Sequence, residues 1–218
     1  MKLKTIYLLM SVAIVFASCS KDTTVNGACC DPISPIEIIK DSISAGSKYG
    51  ITIGDDVEKV YADFQLYAQE NKHEYLGIVR PAYTKLEEVK ELLPYYSSLY
   101  LKSVQFSFKD DKVASIFLTN GDKVNEWPVG YSTTVKVNDP VNVIYDKLET
   151  IRKRVNFTHL FDHFNLNFKL IDKPLDLATK QSDKWYFRFK TAENTFEYAE
   201  LRFTNDRLSS IFFQKEVY

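Results

Sequence analysis

The chain reads as an α+β protein of two tandem related units, each a helix or helix pair packed on an antiparallel sheet. Three observations lead there. The block Ile53-Gly54-Asp55-Asp56-Val57-Glu58-Lys59-Val60-Tyr61 returns as Val137-Asn138-Asp139-Pro140-Val141-Asn142-Val143-Ile144-Tyr145. A second block, Phe108 to Phe117, returns in the same order as Phe203 to Phe212. The first block has apolar residues at helical spacing and the second alternates them at strand spacing, so a duplicated helix-then-sheet plan accounts for both. The expected division is a leader over 1–18, a tether over 19–36, a first unit over 37–125 and a second over 126–218.

In the first unit, Val57, Val60, Tyr61 and Phe64 form one helical stripe. Asp55 is placed to accept hydrogen bonds from the free amides of that helix's first turn, and Asp139 is its counterpart in the second unit. Glu74 to Arg80 reads as a strand, and Leu86 to Leu93 as a short helix stopped near Pro94. Val104, Phe106 and Phe108 then alternate against Gln105 and Ser107, ending at a tight turn on Asp110-Asp111. The second unit repeats the plan with a helix on Val141, Ile144, Tyr145 and Leu148. Strands follow at Phe164 to Ile171 and Trp185 to Lys190, then a hairpin in which Leu201 and Phe203 alternate before Asn205-Asp206. Ser20 to about Pro35 is polar, holds Gly27, Pro32 and Pro35, and reads as a flexible stalk.

Composition excludes several classes. At 45% hydrophobic and 26% charged residues the chain can build a packed core and is not a disordered tail. The net charge is -1, and losing Lys2 and Lys4 with a leader makes it more negative, so no broad cationic field exists for nucleic acid. Seven scattered glycines leave no loop to cradle phosphates.

Lys2 and Lys4 precede an apolar run, Ile6 to Ala17, that is shorter than the ~20 residues of a membrane-spanning helix. It ends in Ala17-Ser18-Cys19 and gives way to polar sequence. This resembles a bacterial lipobox, although Phe16 stands where such boxes usually carry Leu. The resemblance implies cleavage before Cys19, acylation of Cys19 by palmitate-type chains, and anchoring to the outer membrane of a Gram-negative envelope, on its periplasmic or surface-exposed face. Two or three chains are needed for stable retention, since a single one anchors reversibly. Lys21-Asp22 is similar to export signals of surface-exposed lipoproteins. Asp22-Thr23-Thr24 and Asp41-Ser42-Ile43 resemble short O-glycosylation acceptors. Cys29-Cys30 is open to three readings: an inert pair in the tether, a vicinal disulfide, or a link between chains.

The segments Ile53 to Tyr61 and Val137 to Tyr145, with the hairpins Phe108 to Val113 and Phe203 to Leu208, resemble the helix-plus-sheet repeat of BamE-type assembly lipoproteins and tandem β-lactamase inhibitor proteins. Asn138 departs from the glycine of that pattern. The resemblance implies a protein-binding or assembly role with no chemistry of its own.

Candidate chemistry is sparse. His159 and His163 lie four apart around Asp162, a spacing that suits a metal on a helix, but Phe157, Leu160, Phe161 and Phe164 would turn both imidazoles to solvent. A metal-dependent hydrolase built on these three is the alternative enzyme reading; no catalytic, cofactor or metal residue is assigned. Arg152-Lys153-Arg154, with Lys147, is the one cationic run, suited to a wet helix end, anionic lipid or an acidic partner. Tyr95, Tyr96, Tyr100 and Trp127 suit packing against a small sheet, a protein hot spot, or a stacking platform for a glycan, a third reading of function. If the sheets share one open face, a protein partner is expected on its polar positions Gln105, Ser107, Arg188, Glu200 and Arg202.

Overall fold

The computed structural model describes residues 37–79 and 82–218. The leader, Cys19, the Cys29-Cys30 pair and the tether lie outside the described residues. In chain order the elements are β1 (Glu37–Ile43), β2 (Ser47–Lys48), β3 (Ile51–Thr52), α1 (Val57–Asn71), β4 (Tyr75–Ile78), β5 (Tyr96–Leu101), β6 (Val104–Lys109), β7 (Lys112–Leu118) and β8 (Lys123–Val124). There follow β9 (Glu126–Trp127), β10 (Val135–Lys136), α2 (Ile144–Arg152), β11 (Phe164–Leu170), α3 (Leu177–Lys180), β12 (Lys184–Ala192), β13 (Thr195–Thr204) and β14 (Arg207–Val217).

The expected two tandem helix-plus-sheet units are not what forms. One antiparallel sheet of ten strands runs through both halves, in the order β1-β14-β13-β12-β4-β11-β5-β6-β7-β8. Among the described residues only α1 and α2 are helices longer than about a turn. The halves also exchange parts. α1 and β4, from the first half, pack on β12 to β14 of the second: Val57, Val60, Tyr61, Phe64 and Leu76 share a core with Trp185, Phe187, Ala199, Leu201 and Ile211. α2 and β11, from the second half, pack on β5 to β7 of the first: Ile144, Leu148, Ile151, Phe164 and Leu166 join Leu99, Phe106, Val113 and Ile116. Burying side chains of this size stabilises by roughly 1.5–3 kcal/mol each, so each core holds the two halves together.

The physical reason for the correction lies in the turns. Gly54 N donates to Leu208 O (2.8 Å), Val57 N to Asp206 O (3.0 Å) and Leu208 N to Asp55 O (2.9 Å). The matched set is Asn138 N to Val113 O (2.8 Å), Val141 N to Asp111 O (2.9 Å) and Val113 N to Asp139 O (2.9 Å). Each helix entry is therefore clamped on the hairpin of the opposite half. Gly54 and Asn138 both take positive φ, 96° and 72°, and so do Asp110, Asp111, Asn205 and Asp206, at 51° to 58°. Short polar residues tolerate this backbone because their side chains bond locally.

Three local expectations change as well. Asp56, not Asp55, caps α1, its carboxylate accepting from Lys59 N at 2.8 Å. Asp139 accepts from Lys136 N and Lys147 Nζ, both at 2.6 Å, instead of capping. The helix expected over Leu86 to Leu93 is two 3₁₀ turns, Leu86–Val89 and Leu93–Tyr95.

Candidate functional site

The two half-sheets meet where β4 pairs with β11, through Leu76 opposite Lys169 and Tyr75 opposite Leu170. Lys169 is fully buried there. Its Nζ lies 3.5 Å from Asp176 Oδ2 and 4.6 Å from the centroid of the Tyr95 ring, and makes no hydrogen bond. Burial pulls the Lys169 ammonium down to about 8, against the partial support of Asp176. Asp176 is also the cap of α3, accepting from Thr179 N at 2.9 Å and from the Tyr96 hydroxyl at 3.2 Å. Trp185 Nε1 donates to Thr179 O at 2.9 Å, so this polar knot ties β5, β11, α3 and β12 together. Enclosed as it is, the knot fastens these strands to one another.

Around the same seam two clefts of about 660 and 650 Å³ open, and they share His73, Glu74, Tyr75 and Phe108. The first lies beside α1 and the Leu93–Tyr95 turn. The second opens on the face of the sheet that carries no helix. Ser98, Ser107 and Gln105 form its floor and belong to two rows set by strand register. Ser115, Ser107, Ser98 and Asn167 stand opposite one another across β7, β6, β5 and β11, and Phe117, Gln105, Tyr100 and Asn165 form the next row. Small hydroxyl side chains keep this floor low, while Tyr186, Arg188, Phe168 and Tyr75 rise around it.

Two backbone features build those walls. Gly77 stands opposite Tyr186, and a Cβ at Gly77 would lie 2.2 Å from Tyr186 Cε2, so only glycine lets the ring lie over β4. Phe168 has φ of 57°, an outlying conformation for a bulky residue. The strand alternation slips there: Phe164 and Leu166 are buried before it, Lys169 after it, and Phe168 itself is 46% exposed. The alternation of Phe164, Leu166 and Phe168 predicts an inward Phe168, so nothing in the sequence reveals the slip.

Of the residues expected to meet a partner, Gln105, Ser107 and Arg188 line this groove together. Arg188 is braced by Glu216 Oε2 at 2.7 Å and by the Tyr218 hydroxyl at 3.1 Å. Glu200 and Arg202 share the same face through their pairing with Tyr186 and Lys184, but lie outside the groove lining and bond to each other at 2.5 Å. The groove residues that sequence reasoning missed are Tyr75, Gly77, Phe168 and Tyr186. A lone glycine inside a strand pattern is a signal of close approach, and Gly77 could have been found by it.

The other candidates disperse. Tyr96 and Trp127 are buried in the core while Tyr100 faces the helix-free side, so they do not form one platform. His159 sits in a 3₁₀ turn, Thr158–Phe161, and His163 follows it; both are exposed. Among the described residues no three His, Cys, Asp or Glu side chains converge on a metal position. No helix of the described residues is long and apolar enough to cross a membrane. His73 Nε2 is buried without a partner at the groove's rim, and burial lowers the imidazole's affinity for a proton. The groove thus presents ring faces, hydroxyls, the Gln105 amide, Lys72, Glu74 and one braced guanidinium. Comparison with protein families, curated proteins and solved structures finds no match for this chain.

Proposed function

We propose that this chain is an envelope lipoprotein, anchored to the outer membrane through acylated Cys19, that works as a non-enzymatic binding module and holds a protein partner in the groove of its helix-free sheet face. One observation supports this above the others. Phe168 is kept in a left-handed backbone and turned outward into the groove that exposed Tyr75 also lines. Such strain costs on the order of 1–3 kcal/mol, and it persists where an exposed ring has a use. The floor of Ser98, Ser107 and Gln105 supplies hydrogen bonds without bulk, and Arg188 enters braced by Glu216, so little ordering cost remains on binding.

Photo-cross-linking in intact cells tests the reading. A cross-linker at Gln105 or Arg188 is expected to trap one discrete protein, lost when Phe168→Ser is added. A cross-linker at exposed Leu66 on α1 is expected to trap none of it. The same adduct from both faces, or none from the groove, contradicts the proposal. A protease-resistant carbohydrate adduct would replace protein by glycan. The anchor has its own test: Cys19→Ala is expected to release the protein from membranes.

A further inference from the structure

We infer that the paired loops around Val129 and Val155 are a second membrane contact, which rests on an anionic lipid surface. The first loop, 128–134, joins β9 to β10, and the second, 153–157, follows α2. They are locked side by side: the Phe157 ring lies 5.6 Å from Trp127 and 5.1 Å from Tyr131, and the Arg154 guanidinium sits 4.9 Å over Tyr131. On this support stand Val155, 90% exposed, Val129, 63% exposed, and Tyr131, 42% exposed. Aliphatic tips at such exposure on rigid loops form an apolar patch with nothing from this body covering it.

Charge decides what covers it. Of the four cations in this region, Lys147 is paired with Asp139 at 2.6 Å, Arg152 with Glu87 at 2.6 Å and Lys153 with Glu149 at 3.3 Å. Arg154 makes no ion pair among the described residues, and its Nη1 is buried with no hydrogen-bond partner. The patch therefore couples apolar tips to a half-buried guanidinium that no carboxylate pairs with among the described residues. A fluid layer of anionic headgroups over acyl chains needs no shape match and satisfies both features.

Reach is sufficient, a point that rests on the anchoring reading above. The chain from Cys19 to Glu37 can extend about 60 Å at roughly 3.3 Å per residue. Ten strands spaced ~4.8 Å apart make a sheet about 43 Å across. The patch belongs to the half-sheet away from β1, and the tether is long enough to let it meet the bilayer that holds the anchor.

The test uses the mature chain from residue 19 with Cys19→Ser, so no acyl chain contributes. Vesicles of phosphatidylglycerol are expected to sediment it at least fivefold better than phosphatidylcholine. Val129→Asp with Val155→Asp should cut that binding at least fivefold with the melting temperature kept. Should the double variant melt early, Val155→Ser is read in its place, with a smaller loss of the same sign. Equal binding by the variants, or no preference for the anionic lipid, overturns the inference, as does a cross-linker at Val155 that traps a protein in cells. Failure of the anchor itself is read separately, as soluble wild-type protein lacking acyl mass.

Discussion

Gly77 and Lys169 carry the seam, and each makes a sharp expectation. Gly77→Ala drives a methyl into the Tyr186 ring, and overpacking of this kind costs typically 1–3 kcal/mol, read as a lower denaturation midpoint. In a Tyr186→Ala background the same change should cost much less, so a double-mutant cycle isolates the contact. Lys169 holds its proton less tightly folded, at about 8, than unfolded, near 10.5. Between those values the unfolded chain binds the extra proton, so stability rises with pH. The gain starts near pH 8 and is on the order of 2 kcal/mol by pH 10. Above that, two tyrosines oppose it: buried Tyr61 and half-buried Tyr67 are held above their ordinary value by burial, so their unfolded forms ionise first. Lys169→Met should flatten the rise between pH 8 and pH 10 in chemical denaturation curves. Neither feature follows from composition. A lysine in the run Asn167-Phe168-Lys169 reads as solvated, and only the slipped alternation at Phe168 turns it inward.

Elements were more legible than residues. The stripe Val57, Val60, Tyr61 and Phe64 is buried along α1 as its spacing predicts, and Val104, Phe106 and Phe108 are buried along β6. Spacing registers here because burial selects one side of each element. Caps are less legible, since Asp55 and Asp56 are equal candidates until the backbone shows which carboxylate meets Lys59 N. Asp56→Ala should therefore cost about 1 kcal/mol, whereas Asp55→Ala, whose clamp is made by the backbone carbonyl, should stay within about 0.5 kcal/mol. Equal losses in thermal melts would mean the cap is misassigned.

At the scale of the molecule, the sequence shows matched segments but not which half each one serves. Helical and strand periods are local, whereas the choice between covering one's own hairpin and the other's depends on contacts more than a hundred residues apart, such as Val57 to Asp206. Neighbours in sequence are usually neighbours in space, which favours the expectation of two self-contained units. Exchange of α1 and β4 for α2 and β11 instead fuses the sheet, places the polar knot of Lys169, Asp176 and Tyr96 at its centre, and lets Gln105, Ser107 and Arg188 converge from different halves. The groove, and with it the proposed binding role, exists only in this arrangement. Aromatic proton contacts in solution test it most directly: cross-peaks are expected from Tyr61 to the Trp185 indole, whose rings lie 5.8 Å apart. Cross-peaks from Tyr61 to Phe106 or Phe108 instead would contradict it, because they would put α1 back on the hairpin of its own half.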